Sequence, residues 1–361
     1  MKILLLSPEL FLAEGGIARI LRLYLKALCE ICGPGGRVDT ITLNDSPKPD
    51  ERLGDYGNAR LGRSVGCNRS KLKFIRHALA LGRTSELLIC GHLHQLAVAR
   101  LARCFNPTLR YLLVAHGIEV WRPYTWLERW ALRGAHRILC ISEFTRRQLL
   151  RFAPALDASR LVVVPNTLDP KFAPAAEPAV TPGREKQPPR ILTVGRLTKA
   201  DTYKGFDTLI EALPLLRTEF PEICLRVVGD GDDINRLKQL ARDLGVAGAV
   251  HFTGGITDTE LRKEYESCDV FALPSRKEGF GLVYLEAMIH GKPCVGARAG
   301  GVPEVINDSV GALADYGNIP ALAAAIADVI RRPRDSGVVR LHAGSFAFPA
   351  FKQRLAAVLT A

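Results

Sequence analysis

Residues 269–293 read DVFALPSRKEGFGLVYLEAMIHGKP. The apolar run Asp269–Pro274 predicts a buried strand, and Leu282–His290 predicts a short helix that the following Gly-Lys-Pro sequence ends. Glu278 then lies in a loop at the carboxyl end of a strand, while backbone N–H groups near Gly281 open the helix. A helix start of this kind binds phosphate, because glycine lets the ligand approach the backbone closely.

Two carboxylates, Glu278 and Glu286, flank the Gly-Phe-Gly turn in this stretch. A carboxylate next to an anion site is unusual unless a neutral group that forms hydrogen bonds lies between them. A sugar is such a group, so the stretch predicts a ligand that carries both phosphate and sugar.

Short strand and helix patterns alternate along the rest of the chain, for example in Lys2–Leu6, Ile17–Cys29 and Val38–Leu43. Alternation of this kind predicts an α/β fold with parallel sheets covered on both faces. A Pro- and Ala-rich stretch without periodicity divides the pattern into two blocks. We therefore predict two doubly wound, Rossmann-like domains facing a cleft. Their bounds are 1–170 for the first domain, 171–189 for the linker and 190–345 for the second domain.

The composition of the 361 residues is that of an ordinary globular protein, with 47% hydrophobic and 24% charged residues. The formal net charge of +12 is uneven, because residues 60–160 hold 18 Lys/Arg against 5 Asp/Glu. All three tryptophans, Trp121, Trp126 and Trp130, lie in the same window. The chain contains no run of the roughly 18 apolar residues that a membrane span needs. Nine scattered cysteines indicate reduced thiols and a cytoplasmic location.

Four segments of the second block could meet a ligand that carries phosphate and sugar: Gly195-Arg196-Leu197, Lys204-Gly205-Phe206-Asp207, Val228-Gly229-Asp230-Gly231-Asp232 and Glu278–Glu286. Gly300-Gly301-Val302-Pro303-Glu304 follows the fourth segment and predicts another glycine-led helix start. Ligands of doubly wound sheets bind at the carboxyl ends of strands, where these segments fall. Arg196 and Lys204 are predicted to hold a diphosphate and to stabilise its charge as it leaves, without a divalent metal.

These motifs resemble those of the retaining nucleotide-sugar glycosyltransferases of GT-B fold, family 4. In the second block the resemblance is almost continuous from Ile191 to Leu313. In the first block it covers Glu14-Gly15-Gly16, His116-Gly117-Ile118-Glu119, Ser142–Thr145 and Pro165–Asp169. The region from about Asn44 to Arg83 matches no motif of the family.

The resemblance implies a hexosyltransferase, in which the domain 1–170 would bind the acceptor and the domain 190–345 would bind the nucleotide sugar. It also implies a role for each matched position. Arg196 and Lys204 would bind the donor diphosphate, Glu278 the sugar hydroxyls and Glu286 the ribose. Residues around Gly255 and Ile256 would flank the base, and His116 would contact the sugar near the reacting carbon. The final helix, within 346–361, would return to the first domain. The complete donor-binding set comprises Gly15, Gly16, Arg196, Lys204, Gly229, Asp230, Gly255, Ile256, Glu278, Gly279, Phe280, Gly281, Leu282 and Glu286, with His116 and Glu278 as catalytic residues.

The resemblance also implies transfer with retention at the anomeric carbon and no cofactor besides the nucleoside-diphosphate sugar. Expected donors are of the mannose or glucose type, and expected acceptors are polysaccharides, lipid-linked saccharides or glycolipids. Glu278 is expected against sugar hydroxyls rather than beneath the reacting carbon. This placement favours same-face substitution over a covalent intermediate.

Other interpretations remain open from the residues alone. An NAD-dependent oxidoreductase on paired Rossmann domains would need a G-x-G-x-x-G fingerprint, which the segment at Gly229 lacks. A nucleic-acid or other polyanion binder would suit the basic window, although no nucleic-acid motif is present. Asp230-Gly231-Asp232 has metal-binding spacing, but the helix pattern that follows favours a turn and helix cap. The segment Trp121–Arg137 either packs one helix face or contacts an anionic membrane peripherally.

Overall fold

A computed structural model of the chain describes residues 1–172 and 187–360. The chain divides into two compact units. The first unit contains Met1–Asp169 together with the final helix, and the second contains the described residues of 170–347. Most of the predicted linker, residues 173–186, lies outside the described residues.

The first unit is built on one parallel sheet of seven strands in the order β3-β2-β1-β4-β5-β6-β7. Its strands are β1 (Lys2–Ser7), β2 (Arg37–Thr42), β3 (Leu61–Gly66), β4 (Leu87–Cys90), β5 (Arg110–Ala115), β6 (Arg137–Cys140) and β7 (Leu161–Val163). Its helices are α1 (Gly16–Ile31), α2 (Leu53–Tyr56), α3 (Lys71–Gly82), α4 (Leu96–Phe105), α5 (Trp126–Gly134) and α6 (Glu143–Phe152).

The second unit has a parallel sheet of six strands in the order β10-β9-β8-β11-β12-β13. Its strands are β8 (Arg190–Val194), β9 (Cys224–Val228), β10 (Val250–Gly254), β11 (Val270–Leu273), β12 (Cys294–Ala297) and β13 (Gly311–Ala314). Its helices are α7 (Phe206–Glu219), α8 (Ile234–Asp243), α9 (Asp258–Ser267), α10 (Leu282–Ile289), α11 (Ile319–Arg331) and α12 (Ser336–Gly344).

The α/β class and the two Rossmann-like units are confirmed by these sheets. Strands at the centre of each sheet are buried on both faces, as β4 and β11 are at every residue. Their continuous apolar runs made them easy to predict, because a strand buried on both faces has no polar alternation. None of the described helices is both long and apolar enough to cross a bilayer.

Two details differ from the sequence-based expectation. The unassigned region 44–83 contains strand β3 and helix α3. β3 pairs only with β2 at the edge of the sheet and is half-exposed along its length, so it has no apolar run to mark it. The helix predicted after Gly300-Gly301 is only a three-residue turn, Val302–Glu304. The side chain of Asn307 then accepts hydrogen bonds from the backbone and hydroxyl of Ser309, which form a different turn.

The last helix of the chain, α13 (Phe348–Thr360), belongs to the first unit. The ring of Phe351 is completely buried and packs edge-to-face on Tyr24 of α1, with ring centroids 5.0 Å apart. Lys352 Nζ donates to Glu30 Oε2 at 2.8 Å. The core of the first unit is therefore completed by residues from the other end of the chain.

We expect Phe351→Ala to lower the free energy of unfolding of the first unit by about 3–5 kcal/mol, because the truncation leaves a cavity against Tyr24. Denaturant titration followed by tryptophan fluorescence measures this, since all three tryptophans lie in the first unit. The matched control is Leu341→Ala, at a side chain that is 78% exposed in the second unit. An equal response of the fluorescence transition to both variants would contradict the packing described.

Candidate functional site

Loops at the carboxyl ends of β8, β9 and β10 pack backbone against backbone. The N–H of Gly195 donates to Val228 O at 3.0 Å, and the N–H of Gly229 donates to Gly254 O at 3.0 Å. Gly229 has φ +138°, and a Cβ there would lie 1.9 Å from Gly195 O. Only glycine fits this position, so its place in the motif reflects a close approach of two loops.

Arg196 projects from the first of these loops, and one edge of its guanidinium group is bound by a carboxylate. Its side chain is 73% exposed, and Nη2 lies 3.1 Å from Asp201 Oδ2. The buried Asp201 carboxylate also accepts hydrogen bonds from Thr198 Oγ1 at 3.0 Å and from the Tyr203 hydroxyl at 2.9 Å. A guanidinium has five N–H groups, so an anchored but exposed Arg196 keeps donors available for an anion.

Lys204 brings a second positive charge to the same loops. It precedes Gly205, whose left-handed conformation ends the turn before α7. A Cβ built on Gly195 would lie 3.3 Å from Lys204 Nζ, so the ammonium group lies against the Gly195 loop. Burial raises the pKa of Glu278 above its ordinary value, the Lys204 charge partly offsets this, and Asp201 adds to it. Lys204, Asp201 and Glu278 are therefore close enough for their charges to interact.

The loop that carries Glu278 is fixed by a glycine pair from the next strand. Gly301 N–H donates to Glu278 O at 2.8 Å. Gly300 has φ +60°, and a Cβ there would lie 2.3 Å from the same carbonyl oxygen. The sequence predicted a helix start at Gly300-Gly301. In the structure this glycine pair contacts the backbone of Glu278. Two adjacent glycines after a predicted strand were the signal for this close approach.

The other predicted residues of this stretch differ in exposure. Gly279 and Gly281 are buried, and Leu282 at the start of α10 is partly exposed. Phe280 is buried, with its ring centroid 5.4 Å from that of Phe346. The ring of Phe280 thus packs into the core and anchors the turn. The predicted contacts of Phe280 with sugar and phosphate would therefore come from its backbone.

Glu286, on α10, is only 1% exposed. Its Oε2 accepts a hydrogen bond from the Tyr265 hydroxyl at 2.9 Å. The Tyr265 ring is in turn stacked on His290, with centroids 5.7 Å apart and an interplanar angle of 9°. The ribose contact of Glu286 stays a prediction. Tyr265, which orients this carboxylate, was missed because a tyrosine on an amphipathic helix looks like any core residue.

The Asp230-Gly231-Asp232 segment forms a turn, but the predicted helix cap is wrong. Asp230 Oδ1 accepts from Gly231 N at 2.8 Å, and Asp232 Oδ1 accepts from Lys199 N at 2.9 Å. Residue Asp233 precedes α8 and makes no side-chain capping bond. Both carboxylates therefore fix loops at the sheet edge. Across residues 1–172 and 187–360, no group of three or more His, Cys, Asp or Glu is arranged to hold a metal ion.

Gly255 and Ile256 follow β10 at the same edge of the sheet. Gly255 is exposed and Ile256 partly exposed. The second unit thus brings its predicted residues to the carboxyl ends of neighbouring strands of one sheet. Their individual contacts with a donor stay predictions.

In the first unit, Gly15 and Gly16 lie at the start of α1. Gly15 occupies the N-cap position in an extended conformation without a side-chain cap. The preceding Glu14 binds the buried Arg22, with Oε2 2.6 Å from Nη2, and also pairs with Arg52. These ion pairs fix the loop that leads into the glycine pair. The predicted approach to phosphate stays untested.

His116, directly after β5, is buried and only 9% exposed. Its Nε2 lies 2.9 Å from Gly91 O, so Nε2 carries the proton and Nδ1 the lone pair. The backbone N–H of His116 donates to the Glu119 carboxylate, and burial raises the pKa of that carboxyl. Burial lowers the pKa of His116 to about 4. The imidazole is therefore neutral near pH 7 and acts as a hydrogen-bonding group rather than a cation.

Two family models match the chain. Residues 14–172 match the model described as "Glycosyltransferase Family 4". Residues 179–338 match the model described as "Glycosyl transferases group 1".

Curated relatives agree with these models. The chain is 35% identical over 271 residues to the GDP-mannose-dependent alpha-(1-6)-phosphatidylinositol monomannoside mannosyltransferase of Mycolicibacterium smegmatis, covering 70% of this chain and 67% of that protein. Alignment with the corresponding Mycobacterium tuberculosis enzyme covers 64% of its length, so the chain spans about two thirds of these relatives. Alpha-maltose-1-phosphate synthase of M. tuberculosis is 26% identical over 336 residues, or 86% of this chain and 82% of that protein.

Among solved structures, Anabaena HepE in complex with UDP superposes with a TM-score of 0.81 at 21% identity, covering 100% of both chains. At this identity the likeness concerns the fold.

We expect the first unit to lose stability as the pH falls from 6.5 towards 4. The unfolded chain takes up a proton on His116 in this range and the folded chain does not, because its pKa is about 4. His116→Gln, which keeps an N–H for Gly91, should remove up to ~3 kcal/mol of this pH dependence. Urea titration followed by tryptophan fluorescence at pH 7 and pH 4.5 measures it. The control is the exposed His251→Gln, and equal slopes for both variants would contradict the burial effect.

Proposed function

The chain belongs to the family 4, group 1 glycosyltransferases and is a hexosyltransferase that uses nucleotide sugars; from this premise we propose a metal-independent transfer with retention at the anomeric carbon. The transferred group is a mannose- or glucose-type hexose. The acceptor is a polysaccharide, a lipid-linked saccharide or a glycolipid. GDP-mannose is the first donor to test, because the relative from M. smegmatis is named for it.

The observation that carries the proposal is the pair of cations beside a carboxylate in the second unit. Arg196 is held by Asp201 with most of its surface exposed. Lys204 lies against the same loop, close enough to Glu278 to offset part of its pKa rise. Two positive charges on adjacent loops at the edge of the sheet suit a diphosphate, and a nearby carboxylate suits sugar hydroxyls.

The cations replace the charge stabilisation that a divalent metal supplies in other transferases. As the bond between C1 and the phosphate oxygen breaks, negative charge grows on the departing diphosphate. Arg196, Lys204 and the backbone N–H groups near Gly281 stabilise that charge where it develops. Asp201 holds Arg196 before the donor binds, which limits the reorganisation that accompanies the reaction.

Same-face substitution follows from the proposed position of Glu278. The acceptor oxygen bonds to C1 on the face that the phosphate leaves, and its proton passes to the departing phosphate oxygen. Glu278 accepts hydrogen bonds from sugar hydroxyls, and the neutral His116 keeps its predicted contact with the sugar. We also propose a cytoplasmic enzyme, since all nine cysteines are free thiols. Its segment Trp121–Arg137, which combines arginine with tryptophan, would contact an anionic membrane peripherally.

Retention is tested by proton NMR of the linkage formed from an α-linked nucleoside-diphosphate sugar. We expect an α-linked product from the wild-type enzyme, because the acceptor attacks the face that the phosphate leaves. A β-linked product would overturn the proposed mechanism while leaving the donor site intact.

Donor binding is tested by thermal shift with GDP, UDP, ADP and TDP and their sugars, with and without EDTA. We expect one nucleoside diphosphate to stabilise the protein equally in both conditions. Arg196→Ala and Lys204→Ala should each weaken its binding by roughly 10- to 100-fold, since each removes a charge-assisted bond to phosphate.

The matched control for these variants is Lys263→Ala, an exposed cation on α9. It should leave the nucleotide response unchanged. Loss of the response with EDTA would argue for a metal, and equal responses of all three variants would remove Arg196 and Lys204 from the site.

A further inference from the structure

Three helices of the first unit, α3, α4 and α5, lie side by side. α3 packs against α4, and α4 packs against α5. Their inner side chains, including Phe74, Ala99 and Leu132, join one hydrophobic cluster with the sheet. The outer sides of the three helices therefore form one surface, which we term the basic helical face.

The charge of this face is almost entirely positive. Seven cationic side chains stand on the three helices: Lys71, Lys73, Arg76, Arg100, Arg103, Arg129 and Arg133. Their one acidic residue, Glu128, is bound to Arg122, with Oε1 2.6 Å from Nη2. In the described part of the chain, none of the seven cations forms an ion pair with a carboxylate. An uncompensated cluster of this size attracts an anionic partner.

The same face exposes large apolar side chains. Five of the twelve exposed large hydrophobic residues in the described chain lie on these helices: Leu72, Leu101, Phe105, Trp126 and Leu127. Leu72 is 81% exposed and Trp126 is 78% exposed. Such exposure of apolar side chains in water marks a contact surface rather than a solvated one.

A cavity of about 470 Å³ lies where α4 meets α5. It is lined by Arg100, Trp126, Arg129, Trp130, Arg133 and Gly134. Arg100 lies over the Trp130 ring, 5.1 Å from its centroid, so Trp130 belongs to the cavity wall. Trp126 is the exposed rim. Guanidinium groups around a cavity of this kind suit phosphate groups, to which arginine donates paired hydrogen bonds.

We propose that the basic helical face docks on an anionic phospholipid surface. Lipid phosphates lie against Arg100, Arg129 and Arg133, while Trp126 and Leu127 enter the headgroup layer. Tryptophan favours this interface because its ring is apolar and its N–H is polar. The combination of cations with exposed aliphatic side chains distinguishes the face from a nucleic-acid site, which stacks bases on aromatic rings.

This inference deepens the peripheral membrane contact of the proposed function by identifying the surface. The predicted segment, Trp121–Arg137, supplies only α5. Helices α3 and α4 add five of the seven cations and three of the five apolar side chains. The surface is defined independently of the sugar that the enzyme transfers.

The test is co-sedimentation of the full chain with phosphatidylcholine vesicles that contain or lack phosphatidylglycerol, at low and high salt. We expect binding only with phosphatidylglycerol and weaker binding at high salt. Lys73→Gln with Arg133→Gln should weaken vesicle binding roughly 25-fold, from about fivefold for each charge near the surface. Both side chains are exposed, so the fold should be unaffected.

The matched control is Lys238→Gln with Lys263→Gln, which removes the same charge from exposed sites in the second unit. It should bind vesicles like the wild type. Equal weakening by both double variants would mean that only net charge matters and would overturn the assigned surface. Unchanged binding by Lys73→Gln with Arg133→Gln would overturn it as well.

Trp126→Ala separates insertion from charge attraction. We expect wild-type tryptophan emission to shift to shorter wavelength on phosphatidylglycerol vesicles and this shift to be lost in the variant. Displacement of the protein from vesicles by a single-stranded oligonucleotide, with no effect of Trp126→Ala, would indicate a nucleic-acid site instead. The nucleotide thermal shift is measured on every variant, so failure of donor binding is separate from failure of this surface.

Discussion

The second unit depends on close contact between the backbones of its strand-end loops. At Gly229 and Gly300 a single added carbon atom would overlap a neighbouring carbonyl oxygen. Through these contacts the loop of Gly195 and Arg196 packs against the loop of Gly229. The loop of Glu278 packs against the loop of Gly300. Because neither contact leaves room for a side chain, backbone contacts set the positions of the loops, and the loops in turn set the positions of the charged side chains.

The charged groups of the site then follow from that geometry. Asp201 is buried and binds three groups, one of which is Arg196. A guanidinium held at one edge loses less conformational freedom when it meets a phosphate. Lys204 and Glu278 approach each other from different strands, and their charges partly compensate. The arrangement keeps two cations and a carboxylate near one another without pairing them completely.

The first unit places its charged and polar residues in two different environments. The buried His116 and the partly buried Glu119 are held at the end of β5, where burial keeps the histidine neutral. The cations of α3, α4 and α5 are instead exposed or partly exposed, and three of them, Arg100, Arg129 and Arg133, share a cavity with Trp126. Seven of the 18 Lys/Arg of residues 60–160 thus lie on these three helices.

The sequence by itself determined the α/β class, the two units and most elements of the second sheet. Strands such as β11 are apolar throughout because they are buried on both faces, and glycines mark the loops beyond them. It also located Arg196, Lys204 and Glu278 at strand ends. Only the tertiary structure decided that Gly300-Gly301 supports Glu278, that Tyr265 binds Glu286, and that α2, β3 and α3 lie in the unassigned region. These features depend on contacts between distant segments, and local periodicity carries no information about such contacts.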